Sequence, residues 1–333
     1  MTGLRLSLAL DEGGLVLPDV GRIAVFAPRA DHDLSALPKA RLHLITGMYP
    51  DHAALRGQGY DCAAAPEGPY AAALVCLPRA KALAQGLIAQ AASLTDGPVI
   101  VDGLKSDGVD SLLKACRKRA DVYGPVNKAH GKLFWFTGGD FADWTGTGET
   151  ALEDGFVTTA GVFSADGIDP ASQLLADSLP AEIGAQVADL GAGWGYLSAR
   201  ILQLKGVRAL HLVEADHAAL DCARRNIDDP RAHFHWADAT AWQAPAKLDA
   251  VVMNPPFHTS RAADPELGRR FIQSAARLLA PRGRLWLVAN RHLPYEATLS
   301  AHFGESTEVA GNSRFKILLA SNPSRQWRVD RLA

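Results

Sequence analysis

Short apolar runs alternate with longer amphipathic segments along the first half of the chain. Runs rich in β-branched and aromatic residues predict buried strands, and apolar positions that recur every three or four residues predict helices. The predicted strands are residues 22–27, 41–45, 72–77, 99–102 and 132–136, and the predicted helices are residues 80–94 and 108–119. Strands that alternate with helices of this length indicate βα units on a largely parallel sheet.

The second half repeats this alternation more regularly. Its predicted strands are residues 186–190, 208–214, 233–236, 248–253, 284–289, 307–310 and 314–319, and its predicted helices are residues 196–204, 217–227, 267–279 and 295–302. The last two strands flank a Gly311-Asn312 turn, so this seven-stranded sheet is expected to end in an antiparallel hairpin. The predicted fold is α/β, with two tandem Rossmann-like domains.

A polar segment rich in glycine and threonine separates the two patterns. Residues 144–155 lack apolar periodicity and are the best candidate for a linker. The predicted domains are therefore residues 1–148 and residues 149–333.

Composition and charge narrow the class of protein. The 333 residues are 48% hydrophobic and 21% charged, a globular mix that excludes a disordered chain, a collagen and a long coiled coil. No apolar run reaches the roughly 18 residues of a membrane helix, and the N-terminal apolar segment is too short for a secretory signal. We expect a soluble cytoplasmic protein with no membrane partner. The net charge of −2 argues against binding nucleic acid through a wholly basic domain, so any such role depends on local patches.

The cysteines predict no metal site. None of the four forms a C-x-x-C pair, and no histidine cluster accompanies them. Free thiols in a reducing compartment are the expected state of Cys62, Cys76, Cys116 and Cys222.

A Gly-rich turn follows the first strand of the second half. Asp189 precedes three glycines, Gly191, Gly193 and Gly195, before the next helix begins. Glycines there let a ligand approach the backbone, and the start of a helix favours polar or anionic groups. The pattern alone also fits a dinucleotide site or a tight turn without a ligand. A carboxylate directly before the turn would repel a pyrophosphate, whereas it suits a cationic amino group, and the spacing differs from the G-x-G-x-x-G of NAD sites.

Two further acids end the next two strands. Glu214, about 20 residues on, can accept both ribose hydroxyls of an adenosyl group, and Asp238 can accept from an adenine amine. Each alone could equally be a solvated acid. Asp216 is expected to be the N-cap of the helix that begins at His217. Together the turn and the acids indicate S-adenosylmethionine (AdoMet) rather than NAD.

The most specific motif is Asn254-Pro255-Pro256-Phe257, at the end of the fourth strand. The Asn254 side-chain oxygen and the Pro255 carbonyl can both accept from a planar NH₂ group and hold it in line with a sulfonium methyl. Phe257 can stack on a base. The alternative is a purely structural role, in which the prolines stiffen the end of the strand and the phenylalanine packs in the core. We predict Asn254, Pro255 and Phe257 as catalytic residues.

The second half resembles the bacterial ribosomal RNA guanine-N2 methyltransferases that carry two tandem methyltransferase-like domains. The likeness covers about residues 160–320 and rests on several segments in combination. These segments are the Gly-rich turn, residues 161–164, 169–175, 254–258, 288–290, 293–295 and 311–318.

This resemblance implies AdoMet on residues 189–195, ribose on Glu214, adenine near Asp238 and the target amine at Asn254. The first half looks like the family's degenerate N-terminal domain, which is expected to recognise or position RNA. Two departures stand in the Gly-rich turn, where Ala192 and Trp194 replace a cysteine and a small residue, and the bulk of Trp194 is expected to narrow the pocket.

The expected activity is methylation of the exocyclic N2 amine of a guanine in ribosomal RNA by a monomeric enzyme. Residues 290–293 resemble the branch that acts on the large subunit and residues 293–295 the branch that acts on the small subunit, which we favour. Adenine-N6 or protein-glutamine methylation, or a noncatalytic RNA-binding assembly factor, stay open as alternatives. Candidate phosphate contacts, each of which could equally be a solvated charge, are Lys114, Arg117, Lys118 and Arg119, Arg261, Arg269 and Arg270, and Arg325, Arg328 and Arg331.

Overall fold

Two sheets of seven strands organise the chain in this computed structural model, which describes residues 2–145, 148–256 and 265–324. The chain divides into two units, Met1–Thr150 with Thr159–Gly161 and Ala151–Thr158 with Val162–Ala333. Along a strand of the first unit, Ile23 and Val25 belong to one hydrophobic cluster, while Ala24 and Phe26 belong to another. Because successive side chains point to opposite faces of a sheet, each face has its own core.

The first unit has the strand order β3-β2-β1-β4-β5-β7-β6. Its strands pair in parallel except for β7, which runs antiparallel to both of its neighbours. Its elements are α1 (Thr2–Asp11), β1 (Ile23–Phe26), β2 (Leu42–Ile45), α2 (Tyr49–Gly57), β3 (Asp61–Ala63), β4 (Ala72–Cys76), α3 (Lys81–Ser93), β5 (Val99–Leu104), α4 (Val109–Cys116), β6 (Tyr123–Lys128) and β7 (Gly131–Phe136). Two short strands follow in the chain and pair with each other, β8 (Glu149–Ala151) and β9 (Val157–Thr159).

The second unit has the same strand order, β12-β11-β10-β13-β14-β16-β15. The final strands β15 and β16 are antiparallel, as the sequence predicts. Its elements are α5 (Pro170–Ser178), β10 (Gln186–Leu190), α6 (Tyr196–Leu202), β11 (Ala209–Glu214), α7 (His217–Asn226), β12 (Ala232–Trp236), β13 (Leu248–Met253), α8 (Pro265–Leu278), β14 (Leu279–Asn290), α9 (Glu296–His302), β15 (Phe303–Gly311) and β16 (Phe315–Pro323).

The predicted strands are all present, whereas elements with little apolar patterning were missed. The segment expected to be a linker contains β8, whose three residues are all exposed and so carry no hydrophobic signal. The buried face of α1 includes Gly3 and Arg5, which hides its periodicity. The other elements without a sequence prediction are α2, β3, β6, α5 and β9.

A buried ion pair ties α1 to the sheet of the first unit. The Arg5 guanidinium donates from Nε and Nη2 to the two oxygens of Asp102, at 2.6 and 2.8 Å, and both residues are nearly inaccessible. Arg5 Nη1 also donates to the Lys128 carbonyl. A buried charge pair stays tolerable only when its members satisfy one another, so removing either partner is costly.

The two sheets carry different residues at equivalent strand ends. In each unit, the residue after the first strand has a positive φ and donates its N–H to the end of the second strand: Ala27 to Ile45 and Gly191 to Val213, both at 2.8 Å. Counted from this turn and from the strand registers, Val25, Thr46 and Cys76 in the first unit occupy the positions of Asp189, Glu214 and Asn254 in the second. The first unit therefore has no acid or amide at these three positions.

Candidate active site

A recess opens beside β10 and β13, where the strand order of the second unit reverses. Ligands of such parallel sheets bind at this point, beyond the carboxyl ends of the strands. The recess contains about 390 Å³ of empty space, part of it open to solvent. Its lining comes from the second unit: Phe163, Ser164, Asp169, Ser172, Gly191, Ala192, Gly193, Trp194, Tyr196, Leu197 and Asn254. The Gly-rich turn and Asn254 thus share one recess.

The three glycines of the turn meet different demands. All three have positive φ, at 77° for Gly191, 56° for Gly193 and 96° for Gly195. A Cβ on Gly195 would lie 2.9 Å from the Ile227 side chain, so this glycine allows close packing. A Cβ on Gly193 would meet no atom within 4 Å, which means that the space above this residue is open to a ligand.

Asp189 lies buried beneath the turn with one oxygen unpaired. Ser198 donates its hydroxyl to Oδ2 at 2.7 Å, whereas Oδ1 has no hydrogen-bond partner among the described residues. Burial raises the pKa of the Asp189 carboxyl to about 7, the Ser198 hydrogen bond opposes the shift, and the Glu214 carboxylate adds to it. An unpaired buried oxygen is costly, so the arrangement fits a ligand that brings a cationic or hydrogen-bonding group.

Glu214 links the end of β11 to the Gly-rich turn. Its Oε2 accepts the N–H of Gly193 and its Oε1 accepts the N–H of Asp216, both at 2.8 Å. Burial raises the pKa of the Glu214 carboxyl, and these backbone hydrogen bonds oppose the shift. Asp216 caps α7 by accepting from the Ala218 N–H, which confirms the prediction for this residue.

Asp238, like Asp189 and Glu214, is not part of the recess lining. Its Oδ1 accepts from both the backbone N–H and the hydroxyl of Thr240, at 2.8 and 2.7 Å. The turn that follows is closed by N–H groups of Ala241 and Trp242, which donate to the Asp238 carbonyl. The carboxyl therefore stands in a fixed orientation after β12.

The Asn254 amide is held by two side chains that the sequence analysis did not single out as site residues. Its Nδ2 donates to Asp169 Oδ2 at 3.0 Å and to Ser172 Oγ at 2.9 Å. The same Asp169 oxygen accepts the Ser172 N–H at 2.8 Å and so forms the N-cap of α5. Pro255 and Pro256 follow Asn254 directly and restrict the backbone of this strand exit. The contacts span more than 80 residues of chain, and only the fold brings them together.

Phe163 is an exposed aromatic residue of the recess that the sequence analysis did not assign to the site. Its side chain is 60% exposed, and its carbonyl accepts from Trp194 Nε1 at 3.0 Å. The Trp194 ring is itself buried and packs against Phe156 and Tyr196. The bulky residue of the turn therefore anchors the Phe163 segment as well as lining the recess. Phe257, which the sequence predicts to stack on a base, lies outside the described residues.

Some of the candidate phosphate contacts form ion pairs within the protein, whereas others are exposed. Arg119 pairs with Asp143 at 2.6 Å, and Arg269 pairs with Glu266 at 3.1 Å. The exposed members are Lys114, Arg117, Lys118 and Arg270. Those outside the described residues are Arg261, Arg325, Arg328 and Arg331.

The described residues contain no helix with the length and hydropathy to cross a bilayer. Across residues 2–145, 148–256 and 265–324, no three His, Cys, Asp or Glu side chains are grouped so that they could bind a metal ion.

A Rossmann-like sheet with a Gly-rich turn after its first strand, an acid after its second and an Asn-Pro-Pro turn after its fourth defines an AdoMet-dependent methyltransferase. Residues 153–319 match the family model described as the methyltransferase small domain.

Relatives and a solved structure agree with this class. The ribosomal RNA small subunit methyltransferase C of Shewanella sp. (strain MR-4) is 32% identical over 74% of this chain and 76% of the relative. The ribosomal RNA large subunit methyltransferase G of Alcanivorax borkumensis is also 32% identical, over 52% of this chain and 46% of the relative. The structure of a T. thermophilus 16S rRNA N2 methyltransferase, in complex with AdoMet and guanosine, matches with a TM-score of 0.79 at 23% identity, over 96% of this chain and 91% of that chain. The chain belongs to the family of bacterial ribosomal RNA methyltransferases that includes small subunit methyltransferase C.

Proposed function

We propose that the second unit transfers a methyl group from AdoMet to the exocyclic N2 amine of a guanine in 16S ribosomal RNA. The observation that carries this proposal is the position of Asn254, an amide directly after β13, in the same recess as Gly191 and Gly193. An acceptor for a planar NH₂ group thus lies beside the turn suited to the cofactor. The small-subunit substrate is supported by the relative named small subunit methyltransferase C, which matches over more of both chains than the large-subunit one.

The residues around the Gly-rich turn fit AdoMet. The unpaired Asp189 oxygen suits the cationic amino group, and the open space above Gly193 leaves room for the ligand. The Glu214 carboxylate accepts backbone N–H groups and keeps acceptor capacity for a ribose hydroxyl. Asp238 would accept from the adenine amine. When bound, AdoMet supplies a methyl group activated by a sulfonium.

The protein's task in the reaction is to place the amine. Asn254 Oδ1 and the Pro255 carbonyl accept the two N–H groups and direct the nitrogen lone pair at the methyl carbon. With AdoMet bound, the nitrogen–carbon bond would form as the carbon–sulfur bond breaks, and the amine would then lose one proton to solvent. A guanine within a helix cannot reach the recess, so the base must be unstacked or flipped out. We assign Phe257 to stacking on that base.

We assign RNA recognition or positioning to the first unit, and we propose residues 1–148 as the extent of this domain. It repeats the fold of the second unit with Val25, Thr46 and Cys76 at the positions of the proposed site residues. Its exposed Lys114, Arg117 and Lys118 are suited to phosphate contacts. We further propose that the protein acts as a monomer in the cytoplasm.

The test is methyl incorporation from isotope-labelled AdoMet into separate substrates. We expect label in 16S rRNA, as naked RNA or as assembled subunits, and mass spectrometry of digested RNA should identify N2-methylguanosine. Label found only in 23S rRNA, in adenosine or in protein would contradict the assigned substrate. Absence of label in every substrate would favour a noncatalytic role.

A further inference from the structure

We propose that Asp169 and Ser172 are positioning residues that fix the amide orientation of Asn254. This inference depends on the proposed methylation of an NH₂ group at Asn254. Asp169 Oδ2 and Ser172 Oγ lie 3.0 and 2.9 Å from the same Asn254 nitrogen, and both side chains line the recess. Ser172 is buried, and both hydrogen bonds are part-buried.

The chemistry of the partners decides which way the amide faces. An ionised carboxylate can only accept hydrogen bonds, so the amide nitrogen of Asn254 must face Asp169. The amide oxygen then faces the other way. If the amide rotated by half a turn, its NH₂ group would stand where the substrate amine needs an acceptor, and donor would meet donor. A carboxylate acceptor also polarises the amide and strengthens Oδ1 as an acceptor.

The start of α5 fixes the positions of Asp169 and Ser172 themselves. Asp169 Oδ2 accepts the Ser172 N–H and the Asn254 amide at once, so the N-cap of α5 and the orientation of Asn254 share one oxygen atom. Pro170 occupies the first turn of α5, where its fixed φ suits the helix start. The Asp-Pro-Ala-Ser run therefore supplies both a helix cap and two acceptors at the spacing of one helical turn.

Substitutions at position 169 separate the helix-capping role of Asp169 from its contact with the Asn254 amide. Asp169→Ser keeps an N-cap residue of similar quality, because serine caps helices about as well as aspartate, but its shorter side chain does not reach Asn254. Asp169→Asn can place its amide oxygen where Oδ2 stands and so accept both N–H groups. Ser172→Ala removes the second acceptor and leaves the capping carboxylate intact.

Single-turnover methyl transfer to 16S rRNA at saturating RNA and AdoMet is the rate to measure. We expect Asp169→Ser to lower it by about tenfold or more, Ser172→Ala by a few-fold, and Asp169→Asn to stay within a few-fold of the parent. AdoMet affinity, measured by titration calorimetry, should change by less than about threefold in all three. In an Asn254→Ala background, Asp169→Ser should cause no further loss of rate, because the amide that it positions is gone.

A parent-like rate for Asp169→Ser, or an undiminished effect of it in the Asn254→Ala background, would overturn the inference. If the Asp169 variants do not fold, Ser172→Ala and its double variant with Asn254→Ala give the same comparison with the cap intact. A parent protein that methylates no RNA amine would instead overturn the proposed function. The two failures are therefore distinguishable.

Discussion

The buried carboxyl of Asp189 should make AdoMet binding sensitive to pH. In the ligand-free protein, burial raises its pKa to about 7. The cationic amino group of AdoMet beside it would favour the ionised form and lower that pKa upon binding. Because the ligand then prefers the ionised carboxyl, we expect AdoMet to bind more tightly as the pH rises toward 7.

The size of the effect follows from the fraction of Asp189 that is ionised. A carboxyl with a pKa of about 7 is ~50% ionised at about pH 7 and only ~3% ionised at about pH 5.5. Binding that needs the ionised form therefore weakens about 15-fold over this range, which corresponds to about 1.6 kcal/mol. Above about pH 8 the amino group of AdoMet loses its own proton, so affinity should be greatest near neutral pH.

Titration calorimetry between about pH 5.5 and 8.5, in buffers of different ionisation enthalpy, measures both affinity and proton release. Asp189→Asn should bind AdoMet more weakly and lose the dependence below pH 7. Glu214→Gln tests separately the other buried acid of the site, because burial also raises the pKa of Glu214. A parent affinity that is flat from about pH 5.5 to 7, or the same slope in Asp189→Asn, would refute the reasoning.

The same carboxyl should make the ligand-free protein less stable as the pH rises, whereas AdoMet affinity increases. The folded protein holds the Asp189 proton more tightly than the unfolded chain does, since the pKa is about 7 against 3.8. Its contribution to stability is therefore complete below about pH 4 and is lost as the pH rises through about 7. Without AdoMet, Asp189→Asn should melt at a higher temperature than the parent at about pH 8.

Three further predictions concern the reaction, the cofactor and the first unit. Asn254→Ala should lower the single-turnover rate about 10²-fold or more while AdoMet affinity changes at most severalfold, because only the acceptor for the amine is lost. Gly193→Val should abolish AdoMet binding in calorimetry by filling open space, whereas Gly206→Val, at a residue that also has positive φ and open surroundings, should bind normally. Arg5→Ala should cost about 3–5 kcal/mol in urea unfolding of the full chain, against at most about 1 kcal/mol for Arg22→Ala in an exposed pair.

Each of these has a contradicting result. A parent rate for Asn254→Ala would reduce the Asn-Pro-Pro turn to a stiff strand exit. Equal AdoMet affinities for the two glycine variants would mean that the space above Gly193 is not ligand space. Similar losses of stability for the two arginine variants would show that burial does not govern the Arg5 pair.

Local patterning accounts for what the sequence could predict. The strands that flank the site are mostly apolar because parallel strands are buried on both faces, and glycines occupy the three positive-φ positions of the turn after β10. The contact of Asp169 and Ser172 with Asn254 has no such local signal in the sequence. Asp169 and Asn254 are 85 residues apart, and the sequence indicated Asp169 only as part of the segment 169–175 that resembles the family. Likewise β3 and β8 exist through backbone pairing with their neighbours, while their side chains are largely polar or exposed.

The turn at Ala27 has a consequence for engineering. It repeats the conformation at Gly191 without a glycine, so the topology of the sheet and the hydrogen bond to the second strand are enough to impose that backbone shape. The two units therefore share this strand turn, and they differ in the side chains at the strand ends and in the connection of their first two strands, which is the helix α6 in the second unit and contains no α-helix in the first. Val25, Thr46 and Cys76 are the positions at which substitutions could introduce a second binding site in the same chain. The strand registers of the second unit identify the equivalent residues, and these show which side chains to introduce.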